Sequence, residues 1–206
     1  VVEAIRYAAD HGAKVINLSL GGPDPAPAYR DALAYAVSRG AFVSIAMGNA
    51  YTEGNPTEYP AAYATEIDGV MSVGSVGKST ARAYYSSTGA TEIAAPGGSD
   101  LDGGGEDLGF VWQVTLYPPD QDPGVVVVPR FDRYVEVGYE GTSMAAPHVA
   151  GVAALLMSQG DLRSPRSIEA FIKATARDLG KAGPDADYGH GLIQARNALF
   201  GWGISK

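Results

Sequence analysis

The sequence predicts an α/β protein in which one mostly parallel sheet carries helices on both faces. Short apolar runs end in glycine, and segments of helical period stand between them, so strand and helix alternate through tight turns. Residues 1–11 place Val1, Val2, Ile5, Ala8 and Ala9 at helical spacing, with Gly12 as the stop. An apolar strand follows at 14–20, closed by Gly21-Gly22-Pro23. A second helix is expected over 28–38, turning Leu33, Ala36 and Val37 inward and ending at Gly40. The strand at 41–47 stops at Gly48-Asn49, and further buried strands are expected at 70–76 and 92–95. The run 149–157 is apolar all round, which marks a buried central helix. Ser164-Pro165 opens another helix, with Ser164 as N-cap and Pro165 at the first helical position. It runs to about residue 176 with Ile168, Phe171 and Ile172 inward, and a short helix at 194–199 follows. Residues 99–138 separate the last of these strands from the central helix. There, residues 125–128 and 134–137 read as the arms of a hairpin crossing a turn near 129–132, to which no chemistry is assigned. Trp202 is expected to pack.

With 206 residues and 46% apolar content the chain can bury one sizeable core, and nothing in it reads as a second domain. Its formal charge of −8, with 15 basic residues spread thinly, argues against a nucleic-acid or anionic-membrane partner. The absence of cysteine excludes disulfides, thiolate metal sites and cysteine nucleophiles. No stretch is long and apolar enough to read as a membrane span. The first residues read as a helix rather than a targeting signal.

In sheets of this kind ligands gather at the carboxyl ends of the strands. Two such ends, and one helix entrance, carry chemistry. Gly141-Thr142-Ser143-Met144-Ala145-Ala146-Pro147-His148 is a small-residue turn that delivers the Ser143 hydroxyl to a helix entrance, where free N–H groups and the dipole favour a developing negative charge. A bare Thr-Ser before an apolar run would be no more than a Thr N-cap. Ser19-Leu20-Gly21 lies just past a strand, and is either an ordinary strand-ending turn or an edge that pairs with an extended peptide. Gly48-Asn49 is either a turn that tolerates positive φ or a source of an amide donor for an oxyanion.

Taken whole, the octapeptide resembles the serine motif of the subtilisin-like serine proteases, the subtilases. The resemblance extends through residues 15–21, Gly48-Asn49, residues 92–97 and Tyr188-Gly189-His190-Gly191-Leu192, from Val1 to about residue 199 outside the insertion. It implies the three-layer subtilisin-like fold, here as the C-terminal part of one catalytic domain lacking its N-terminal part, with an inserted loop and hairpin at about 99–138. It puts the nucleophile on Ser143 and the oxyanion donor on Asn49. Ser19, Leu20 and Gly21 would line the cleft, and Ala46, Met47 and Gly48 would form one wall of the pocket for the side chain before the scissile bond. The loop 51–63 would close the far side with Glu58 near the floor. A carboxylate there favours Lys or Arg in the substrate, whereas a solvated loop glutamate favours nothing, and both readings stand.

No organic cofactor is expected. Asp100, Asp102, Glu106 and Asp107 lie among glycines in an oxygen-rich spacing that could close around structural calcium or form a solvated acidic turn. A serine nucleophile also needs a base, and the chain holds three histidines. Five residues along a helix is about 140° and about 7.5 Å from Ser143, so His148 cannot take its proton. His11 ends a helix, and His190 is the candidate that geometry leaves open. Neither the Asp motif nor the His-Gly-Thr-His motif of the family occurs. The expected reading is therefore a serine endopeptidase acting through an acyl-enzyme on Ser143, with the catalytic Asp and His supplied by an upstream N-terminal segment or a separate chain. Its substrate would be a polypeptide and its location, by resemblance, outside the cell. The alternative is an inactive peptide-binding or structural relic.

Overall fold

A computed structural model of the chain describes residues 1–103, 109–117, 130–160 and 164–201. Four strands, β1 (Val15–Leu18), β2 (Phe42–Ala46), β3 (Val70–Val76) and β4 (Ile93–Pro96), form one sheet in the order β1-β2-β3-β4. All pairs are parallel, in registers that include Val15 with Phe42, Val43 with Val70 and Val73 with Ile93. Every residue of β2 and β3 is buried, which is why both read as continuous apolar runs rather than alternating ones.

The pleat of β2 divides the core. Val43, Ile45 and Met47 face one side, where they pack with Ile5 and Ala9 of α1 (Val2–Asp10) and Ala32, Leu33 and Ala36 of α2 (Pro27–Ser38). Phe42 and Ala46 face the other side, against Val149, Val152 and Leu156 of α3 (Thr142–Ser158). The same layer holds Ile168 and Ile172 of α4 (Pro165–Thr175) and Ala198 of α5 (Ala195–Phe200). Each fully buried aliphatic side chain in these layers contributes about 1.5–3 kcal/mol. This is the three-layer α/β arrangement the sequence predicts.

α3 packs against all four strands, and Ser44 Oγ donates to the Ala146 carbonyl at 2.8 Å to tie it to β2. It is not covered all round, however: Pro147, His148, Gly151, Ala154 and Leu155 form an exposed face, with Leu155 48% exposed. α4 begins as predicted, with Ser164 Oγ accepting from Ser167 N at 3.1 Å and Pro165 in the first turn. The hairpin differs from expectation. The arm at 134–137 belongs to β6 (Arg130–Tyr139), but its partner is β5 (Val111–Tyr117), antiparallel with Val114 opposite Glu136. Residues 130–132, expected in the turn, are already strand, while residues 125–128 and Trp202 lie outside the described residues. The valine run outscores 111–117 on β-propensity, but pairing is decided by cross-strand contacts that propensity does not contain.

Candidate active site

The carboxyl ends of β1, β2 and β4 meet the entrance of α3. Gly141 N donates to Gly97 O at 2.9 Å, which pins the turn before α3 to the segment leaving β4. Gly141 is the N-cap at φ +151°, a conformation that side chains rarely adopt, and no side chain caps the helix. A glycine there throws the chain sharply into α3 and presents Ser143 in its first turn. Among the described residues the Ser143 N–H has no partner, because Met144 N and Ala145 N both turn back to Gly141 O.

Thr142 joins this turn to β2. Fully buried, it donates from both N and Oγ1 to Asn49 Oδ1, each at 2.9 Å, while Oγ1 accepts from Gly48 N at 3.1 Å. With its oxygen committed twice, Asn49 has only the donor end of its amide left to offer a ligand. Thr142 escaped the sequence reading, since a threonine before a serine looks like a simple cap and its partners lie 93 residues away.

Ser19 has a similar tie. Pro147 lacks the N–H that would bond the carbonyl one turn back, which is that of Ser143. Ser19 Oγ donates to that carbonyl at 2.7 Å and itself accepts from Asn17 Nδ2 at 2.9 Å. The Ser19 side chain thus holds the backbone of Ser143 rather than lining the recess.

A recess of about 300 Å³ opens among Leu20, Gly21, Ala46, Gly48, Asn49, Glu58, Thr142 and Ser143. It gathers most of the residues singled out from sequence. Met47 is a correction: its side chain is 1% exposed and points into the α1–α2 layer, because it follows Ala46 on the pleat and must face the opposite side. Glu58 is 8% exposed, and burial, followed by the charge of Glu53, pushes its carboxyl above the usual range.

His190, left open by sequence, is nowhere near Ser143. Its N–H donates to Glu92 O at 2.8 Å at the start of β4, the amino end of the parallel sheet, and burial followed by Lys173 lowers its pKa. His11 precedes β1 at that same end, with Nδ1 on Tyr7 O at 2.8 Å. His148 shares a second recess of about 240 Å³ with Ser143, Met144, Pro147, Val111 and Gln113, but its Nδ1 is held by Met144 O at 2.8 Å. Among the described residues no group of three or more His, Asp or Glu side chains converges to hold a metal ion. Asp102 accepts from Ser79 N at 3.0 Å and from its hydroxyl, and the other acidic residues of that stretch, Glu106 and Asp107, lie outside the described residues.

The chain has relatives among known proteins. Subtilisin DY of Bacillus licheniformis is 34% identical over 201 residues, which cover 96% of this chain and 61% of that protein. Thermitase of Thermoactinomyces vulgaris is 37% identical over 201 residues, 97% of this chain and 58% of its own length. The chain thus spans about three fifths of these relatives. Among solved structures, a protease from Pseudoalteromonas arctica superposes with a TM-score of 0.73 at 32% identity, over 96% of this chain and 57% of that one. Fervidolysin from Fervidobacterium pennivorans, a keratinolytic enzyme related to subtilisin, gives 0.71 at 31% identity over 96% of this chain and 28% of its own. The Subtilase family model matches residues 1–191, taking in the turn at Ser143, the Asn49 strand end and the Glu58 loop alike, and the chain belongs to that family.

Proposed function

We propose that this chain carries the nucleophile and oxyanion donors of a serine endopeptidase, and that the catalytic His and Asp come from a segment outside this sequence. One observation carries the reading: Asn49 Oδ1 is bound to Thr142 N and Oγ1, so its amide donor and the unpartnered Ser143 N–H flank one recess. Two donors beside one hydroxyl suit a tetrahedral oxyanion formed when Ser143 Oγ attacks a peptide carbonyl. The hydroxyl proton passes to the incoming histidine, which returns it to the departing amine, and water then releases the acyl group. Leu20 and Gly21, beyond the end of the edge strand β1, offer backbone to an extended polypeptide. The exposed apolar face of α3 beside Ser143 gives the missing segment a surface to cover. Secretion belongs to the same proposal and rests on family membership; among the described residues no helix is long and apolar enough to cross a membrane.

A serine-directed fluorophosphonate tests the reading, applied to this chain alone and after mixing with the upstream segment. Labelling of Ser143 only in the mixture is the expected result. Labelling in neither case would leave an inactive peptide-binding relic as the better description.

A further inference from the structure

We propose that Glu58 makes the recess beside Ser143 a receptor for a cationic side chain, Lys or Arg, on the residue whose carbonyl is attacked. The inference deepens the protease reading and rests on it. Its foundation is a carboxylate placed where a soluble protein rarely leaves one. Glu58 is 8% exposed, yet among the described residues no Lys, Arg or hydrogen-bond donor pairs with its side chain. The carboxylate oxygens open onto the recess instead of being sealed in the core, so a cation entering the recess meets a partly desolvated charge that no protein donor already neutralises. The charged neighbour that acts on Glu58 is Glu53, which has the same sign.

The surrounding backbone holds this carboxylate in place and keeps the approach open. Tyr59 exchanges both backbone hydrogen bonds with Gly22, at 2.8 and 3.0 Å, and Glu58 O accepts from Ala62 N at 2.9 Å. Glu58 is thereby fixed between the ends of β1 and β2. Two glycines flank it. A Cβ on Gly48 would lie 2.5 Å from Glu58 Cγ, and one on Gly21 would lie 3.6 Å from Oε2. Ser143 and Asn49 line the same recess, so a substrate whose carbonyl reaches them sends its own side chain toward the carboxylate. Burial already raises the Glu58 pKa, and an ammonium or guanidinium partner would reverse that. A charge-assisted hydrogen bond in a partly desolvated site is the strong kind, and a neutral Leu or Phe would leave the carboxylate unpaired.

The test is binding of two product-like peptides, identical except for a C-terminal Lys or Leu, to this chain by calorimetry. The Lys peptide is expected to bind at least about tenfold more tightly. Glu58→Gln should abolish the difference, and Glu58→Lys should reverse it in favour of a C-terminal Glu. Equal binding of Lys and Leu, discrimination that survives Glu58→Gln, or no binding of either peptide would overturn the inference. Fluorophosphonate labelling separates the two levels. Labelled Ser143 without Lys discrimination removes only the Glu58 receptor, whereas unlabelled Ser143 with discrimination intact removes the protease reading and leaves a cation-binding recess without a scissile carbonyl.

Discussion

Lys173→Met should destabilise the fold severely and in a pH-dependent way. Lys173 Nζ sits between Glu92 Oε1 at 2.7 Å and Glu169 Oε1 at 2.5 Å, with all three side chains less than one fifth exposed. Their second oxygens are held by backbone N–H groups, Glu92 by Ser72 at 3.2 Å and Glu169 by Gly69. Burial pulls the Lys173 pKa down, but the two carboxylates outweigh it and hold it above its usual value. Burial raises Glu92, with Lys173 opposing. Methionine fills the same volume but leaves two carboxylates that had shared one nitrogen, hence within about 5 Å of each other, worth roughly 3 kcal/mol of repulsion at an effective dielectric of 20. Loss of a buried partner by itself costs about 3–5 kcal/mol, so a value in that range is expected near pH 7. Because the folded pKa of Glu92 lies above its ordinary 4.5, its contribution to stability is complete below that value and is lost as pH rises. Without Lys173 the folded pKa climbs further and the window of loss widens upward. The deficit of the variant should therefore be largest at about pH 8 and shrink toward about pH 5. His190, whose folded pKa is lowered, works oppositely: its stabilisation is present above 6.5 and is lost as pH falls. Urea unfolding of both proteins at several pH values reads these terms. A deficit under about 1 kcal/mol near neutrality, the size of an exposed pair, or one independent of pH would refute the reasoning.

Thr142→Val removes one of the two bonds to Asn49 Oδ1 and the acceptor of Gly48 N, so about 2–4 kcal/mol of stability should be lost in urea unfolding. Fluorophosphonate labelling of Ser143 in the mixture with the proposed upstream segment should slow with it, and an unchanged rate would remove Thr142 as the residue that sets Asn49. Ser19→Ala leaves the Ser143 carbonyl without its hydroxyl partner opposite Pro147, costing about 1 kcal/mol, or roughly fivefold in labelling rate. An alanine variant that labels at the parental rate would show that solvent replaces the hydroxyl without consequence.

Sequence alone determined the alternation of strands and helices and the turn that presents Ser143 at a helix entrance. Val43, Ile45 and their neighbours can only be a buried strand, and Ser164-Pro165 can only open a helix, because apolar period and cap chemistry are properties of a few adjacent residues. The turn at Gly141-Thr142-Ser143 was legible for the same reason. Tertiary structure decided whatever depends on residues far apart in the chain. Ser19 reaches Ser143 across 124 residues, Lys173 reaches Glu92 across 81, and Met47 is turned from the recess by the pleat that puts Ala46 in it. The partner of the strand at 134–137 and the remoteness of His190 from Ser143 belong to the same class. A local pattern states which surface of an element is apolar; which element covers that surface, and which polar group meets which, is set only when the layers close on one another.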